Sequence, residues 1–141
     1  MRRIFNYFPP EQLAAAELLL RQKNAKVRRA LEIQNEHIFE MCRSSTLPLE
    51  DEIAWIRYYR PSTGQEWFCT YIEEYKLRCY YYCGEFITRQ CDYRVVKMMP
   101  GVILDIYWEP KPFSQIIQTH VNCEEVIKRN PKYAQIMRGG K

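Results

Sequence analysis

Residues 66–83 read EWFCTYIEEYKLRCYYYC, and the reading of this stretch decides the fold: two antiparallel strands joined by a tight turn at Glu74-Tyr75. Side chains alternate along a strand. With that turn, Phe68, Thr70 and Ile72 share a face with Leu77, Cys79, Tyr81 and Cys83, and this face is expected to be core. The opposite face then carries Trp67, Cys69, Tyr71, Arg78, Tyr80 and Tyr82, large amphipathic groups suited to another molecule or to a covering helix. The turn lacks an Asn-Gly or Asp-Gly pair, so a one-residue slip would exchange the two faces.

Outward from this hairpin, residues 53–60 (IAWIRYYR) read as a preceding strand, with 61–65 (PSTGQ) as the connecting loop. Gly84 marks a bend, and 85–90 continue the sheet. Residues 93–99 and 102–108 flank Met99-Pro100-Gly101-Val102, where Pro then Gly fits the centre of a type II turn, so a second hairpin is expected there. Glu109-Pro110-Lys111-Pro112 ends the sheet, because proline cannot donate to a ladder.

Ahead of the sheet, Pro9-Pro10-Glu11 is a helix start, and no glycine or proline follows until Pro48. Leu13, Leu20, Val27, Gln34 and Met41 recur every seven residues, with Leu31 and Ile38 in phase beside them. One helix over 11–43 would be about 50 Å long at ~1.5 Å per residue, so a break into two at the polar residues 22–26 is the alternative. The stripe fits a helix lying on the sheet, or a seam for a homodimer through residues 11–43. Residues 44–52 form an acidic connector. Beyond the sheet, Asn122 with Glu125, Asn130 before Pro131, and Gly139-Gly140 are helix start and stop signals.

A chain of 141 residues suits one domain with its own core. Basic side chains exceed acidic ones by 21 to 17, too small a surplus to imply a polyanionic partner. The surplus sits at the ends: eight to five over 1–43 and six to three over 109–141, against seven to six over 53–108. The N-terminus does not read as a signal peptide, so the six cysteines are expected as free thiols in a reducing, cytoplasmic setting. No apolar run approaches the roughly 20 residues that span a bilayer.

Among possible chemistries, zinc at Cys79 and Cys83 with Cys69 and Cys91 conflicts with strand geometry, since residues four apart on a strand lie about 13 Å apart. Glu109-Pro110-Lys111 has the letters of half a metal-dependent nuclease site, for which Asp92 or Asp105 would supply the second carboxylate. No glycine-rich phosphate loop is present. No metal or cofactor is called for.

The expected fold is therefore a single α+β domain: an N-terminal helix or helical hairpin over 1–43, an antiparallel meander of four to five strands over 53–108, and short helices over 113–141. The expected function is that of a non-enzymatic binding module, an adaptor or inhibitor. Its protein partner would meet an aromatic and arginine sheet face of Trp55, Arg57, Tyr59, Trp67, Tyr71, Arg78, Tyr80 and Tyr82. The same rings would serve a single-stranded nucleic acid, which stacks its bases on exposed aromatics, and the nuclease is the third reading.

Overall fold

A computed structural model describes residues 2–44 and 52–120. The element order is α1 (Arg2–Tyr7), α2 (Pro10–Arg21), α3 (Ala25–Arg43), β1 (Ile53–Ala54), β2 (Ile56–Arg60), β3 (Gln65–Glu73), β4 (Lys76–Tyr82), β5 (Phe86–Asp92), α4 (Tyr93–Val96), β6 (Ile103–Leu104), β7 (Lys111–Pro112) and α5 (Phe113–Thr119). This is the α+β arrangement expected from the sequence. Most of the 44–52 connector and the helix signals after His120 fall outside the described residues.

The helical stripe divides where its polar middle allows. α2 ends in a Schellman motif: the Lys23 and Asn24 amides donate to the carbonyls of Leu20 and Leu19, with Lys23 at φ 58° where glycine is usual. Asn24 then caps α3, its side chain accepting from the Val27 amide. Val27, Leu31, Gln34, Ile38 and Met41 are buried within the chain, so over α3 the stripe lies in the protein's own core, while Leu13 and Leu20 of α2 pack partly buried against it. Gln34 can occupy a core position because its Nε2 donates to the carbonyls of Ile106 and Trp108. Within the helical segment expected over 1–43, a separate α1 precedes the Pro9-Pro10 start; the Ile4 amide docks it onto Asn35 of α3, and Ile4 and Phe8 are buried.

The sheet has the order β5-β4-β3-β2-β6, antiparallel throughout, with β1 and β7 paired separately. Strands β2 to β5 form the expected meander, but β6 crosses back to pair with β2 at the other edge. The expected second hairpin is therefore absent. The Met99–Val102 turn does form, with Gly101 at φ 79° and the Val102 amide donating to the Met99 carbonyl. Residues 93–96, however, make a helical turn capped by Asp92, and cannot pair with β6.

The hairpin of residues 66–83 turns at Glu74-Tyr75 as expected, with Glu73 opposite Lys76. Its faces differ from expectation because β3 carries a bulge: Cys69 pairs with Cys79 and Tyr71 with Arg78, leaving Thr70 surplus. Beyond the bulge the alternation of β3 is reversed. Trp67 and Cys69 join Ile72, Leu77 and Cys79 against the N-terminal helices, whereas Phe68 moves to the side of Tyr80. Both sides of the sheet are covered: α1 to α3 pack on the first, and α5 with Trp108 packs on the second, where Phe68, Tyr80, Phe86, Phe113, Ile116 and Ile117 form a core cluster.

Candidate functional site

The residues expected to form an exposed binding face are distributed otherwise. Trp67 is 2% exposed and packs beside Tyr81, with ring centroids 5.2 Å apart; Tyr80 is fully buried and stacks on Phe113 at 3.6 Å. Trp55 is half-buried, its Nε1 donating to Ser44 Oγ. Tyr71 is half-buried near the hairpin end, its hydroxyl donating to Glu73. Arg57, Tyr59, Arg78, Tyr80 and Tyr82 do share the second side of the sheet, but beneath or beside α5. The bulge explains Trp67, and α5 explains Tyr80.

What these residues build is a pair of charged networks. Glu66 accepts from Arg57 Nε at 2.8 Å and lies 3.0 Å from His120 Nε2, and Arg57 Nη1 donates to Asp105 at 3.0 Å. Tyr59 lies under the Arg57 guanidinium, and Tyr82 meets the His120 ring edge to face. Burial disfavours charge on both Glu66 and His120. Their mutual hydrogen bond, aided by Arg57 at the acid and the Ile116 carbonyl at the imidazole, outweighs it, so Glu66 is held below the usual carboxylate value and His120 above the usual imidazole value. The second network centres on Glu52, whose carboxylate accepts from the Tyr80 hydroxyl and from Thr70, with Arg78 3.3 Å from its other oxygen. Here burial wins, and the Glu52 carboxyl is raised despite these partners. Each charge in the two networks already faces a partner within the chain, so they brace α5 and the strand ends against the sheet.

Both aspartates named for the nuclease letters already have an arginine partner. Asp92, at the end of β5, is engaged by Arg94, and Asp105, just after β6, by Arg57, which puts the two candidate aspartates at opposite edges of the sheet. Lys111 lies in β7 with its ammonium over the Trp108 ring. Among the described residues no set of three or more His, Cys, Asp or Glu converges as metal ligands, and no helix is long and apolar enough to cross a membrane. Cys69, Cys79 and Cys91 line the helix-facing side of the sheet, whereas Cys83 is exposed at the far end of the hairpin.

The feature that sequence reasoning missed is a groove where the start of α2 meets the turn before β6. Pro9, Pro10, Glu11 and Gln12 form one wall and residues 97–103 the other, around a cavity of about 610 Å³. Gln12 fixes the two walls together: its side-chain amide donates to the Leu104 carbonyl at 2.6 Å and accepts from the Leu104 amide at 2.7 Å. It thereby occupies the free edge of β6 as a neighbouring strand would. Lys97 ties the other end by donating to the Asn6 carbonyl. Met98 at the groove and Val95 just ahead of it are each 61% exposed. Both walls carry proline punctuation in the sequence, but their roughly 90-residue separation hides the groove until β6 crosses back to β2. Compared with protein-family models, curated proteins and solved structures, the chain finds no match in any of the three.

Proposed function

We propose that this chain is a non-enzymatic binding module, of adaptor or inhibitor type, that seats an apolar segment of a protein partner in the groove between the start of α2 and the Met98-Met99-Pro100 turn. The observation that carries the reading is the exposure of Met98 in the lining of an open cavity of about 610 Å³. That volume lies within the range of binding pockets. Methionine is the flexible, polarisable side chain that adapts to varied apolar partners, and exposed apolar side chains gathered at a concavity mark interaction sites. Two polar side chains of the lining are engaged within the chain, Gln12 on Leu104 and Lys97 on Asn6, so the groove offers chiefly the apolar surface of Pro9, Pro10, Met98, Met99 and Val102, with the exposed Glu11 carboxylate at its wall. The partner surface thus moves from the aromatic sheet face to the sheet's β6 edge.

Panning a displayed library of random peptides against the chain tests this. Apolar peptides should be enriched, and their affinity should fall at least tenfold in Met98→Glu while the circular dichroism spectrum is unchanged. No enrichment, or peptides that bind Met98→Glu as well as the parent, would end the proposal.

A nucleic-acid reading keeps one supporting feature, the exposed basic turn of Arg21, Lys23, Lys26 and Arg28, where a cavity of about 410 Å³ opens between α2 and α3. It has lost the stacking rings Trp67 and Tyr80 to the core. Binding of single-stranded DNA that collapses between low and physiological salt would favour it over the groove.

A further inference from the structure

The helix-facing side of the sheet holds three thiols in adjacent strands: Cys69 in β3, Cys79 opposite it in β4, and Cys91 in β5. The β4–β5 register sets Leu77 against Cys91 and Cys79 against Arg89, so Cys79 and Cys91 are diagonal neighbours on one face. Their sulfurs are 3.7 Å apart. Cys79 is fully buried, whereas Cys91 is half-buried on the outermost strand, where a small oxidant can reach it. We propose that Cys79 and Cys91 are an oxidation site at which a hydroperoxide drives formation of a reversible disulfide across β4 and β5.

Closing 3.7 Å to the ~2.05 Å of a disulfide requires side-chain rotation and a local shift of the β5 backbone at Cys91, because diagonal neighbours lie farther apart than an opposed pair. An edge strand, bonded on one side only, allows that shift. The order of attack follows from the environment. The two sulfurs share a hydrogen bond, which together with the Arg89 charge overcomes burial and holds Cys91 down at about 7, while the same bond and burial raise Cys79; Cys91 is also the one of the two that solvent reaches. Cys91 is therefore the nucleophile. Its thiolate attacks the peroxide, forming an S–O bond as the O–O bond breaks and an alkoxide or hydroxide leaves. Cys79 then attacks the Cys91 sulfenic sulfur; the S–S bond forms, the S–O bond breaks, and the departing hydroxide takes the Cys79 proton as water. Two thiols lose two electrons and the peroxide gains them. Cys69, buried and raised by that burial, stays a thiol.

The test uses the full chain carrying Cys83→Ser, because Cys79 and Cys83 fall in one tryptic peptide. After hydrogen peroxide and then N-ethylmaleimide, peptide mapping should find Cys79 linked to Cys91, with the link lost on dithiothreitol. Cys91→Ala should lower disulfide at Cys79 at least tenfold, and Cys79→Ala should leave a Cys91 sulfenic acid that dimedone traps. A Cys69–Cys79 link, or Cys79 and Cys91 both still free while Cys42 joins chains together, would overturn the proposal. If Cys79→Ala does not fold, the parent map and Cys91→Ala decide.

Discussion

The bulge at Thr70 makes an unusual deletion informative. Thr70 and Tyr71 together oppose the single residue Arg78, while Cys69 and Ile72 on either side both face the helices. Removing Thr70 makes Cys69 and Tyr71 consecutive, which restores strict alternation and leaves every neighbouring side chain on its present face. The loss is then limited to what Thr70 contributes: long hydrogen bonds to Glu52 at 3.5 Å and to the Arg78 carbonyl at 3.4 Å. At about 0.5–1.5 kcal/mol each, the deletion should cost about 1–3 kcal/mol. Deleting Ile87 is the control. Ile87 is itself 38% exposed, but β5 has no surplus residue to absorb the gap, so Phe86, now fully buried, would turn to the wrong face with Glu85 drawn into its place. Losing a buried phenylalanine costs about 3–5 kcal/mol before the misplaced carboxylate is counted. Urea denaturation followed by tryptophan fluorescence reads both variants. Removal of Thr70 should leave the emission maximum in place, because Trp67 stays buried. If it destabilises the chain as much as loss of Ile87, or shifts the emission to the red, the account of the bulge is wrong.

Two further predictions concern the elements that frame the groove and the sheet's second side. Gln12→Leu leaves the Leu104 amide and carbonyl without the partner they have now, and should lower stability by about 1–3 kcal/mol in urea titrations; Gln12→Glu, which keeps the acceptor and loses the donor, should fall between, and equal stability of all three chains would show that β6 needs no edge partner. For His120 the folded value is raised, so its contribution is complete below the unfolded value of about 6.5 and is lost as pH rises through the folded one; Glu66 is depressed, so its contribution is complete above about 4.3 and is lost as pH falls. The pair therefore supports the fold best between roughly pH 4.5 and 6.5. His37, lowered by burial against the opposing charge of Glu36, acts in the reverse sense. In a His37→Gln background, raising pH from 6 to 8.5 should destabilise the chain with His120 more than the chain with His120→Gln; equal pH slopes in the two would remove the ion pair from the account.

How far the sequence was legible depended on whether each signal was local. The Glu74-Tyr75 turn, the polar break after Arg21, the helix-on-sheet stripe and the Pro100-Gly101 turn are local, and each appears where its residues imply. The bulge was not legible, because both alternation sets of β3 are apolar: Trp67, Cys69 and Tyr71 would serve a core as well as Phe68, Thr70 and Ile72, so periodicity had nothing to choose between. The return of β6 to β2 was equally hidden, since two residues of strand leave almost no pattern. Both gaps bear on function. A sheet read as open on one side offers its aromatic face to a partner, whereas a sheet covered on both sides buries Trp67 and Tyr80 in the core, half-buries Trp55, Tyr59, Tyr71 and Tyr82, and ties Arg57 and Glu66 to Asp105 and to His120 at the end of α5. The proposed binding-module reading therefore places recognition at a rim where covering elements meet an edge strand. The rim beside β6 supplies both conditions at once: Gln12 occupies the strand's hydrogen-bonding edge, so that edge resists strand addition, and Met98 stands beside it with most of its side chain in water. A partner there must bind through side-chain contact with the groove and not by extending the sheet, which is why Met98→Glu, and not a change to Trp67 or Tyr80, is the substitution that separates a lost interaction from a lost fold.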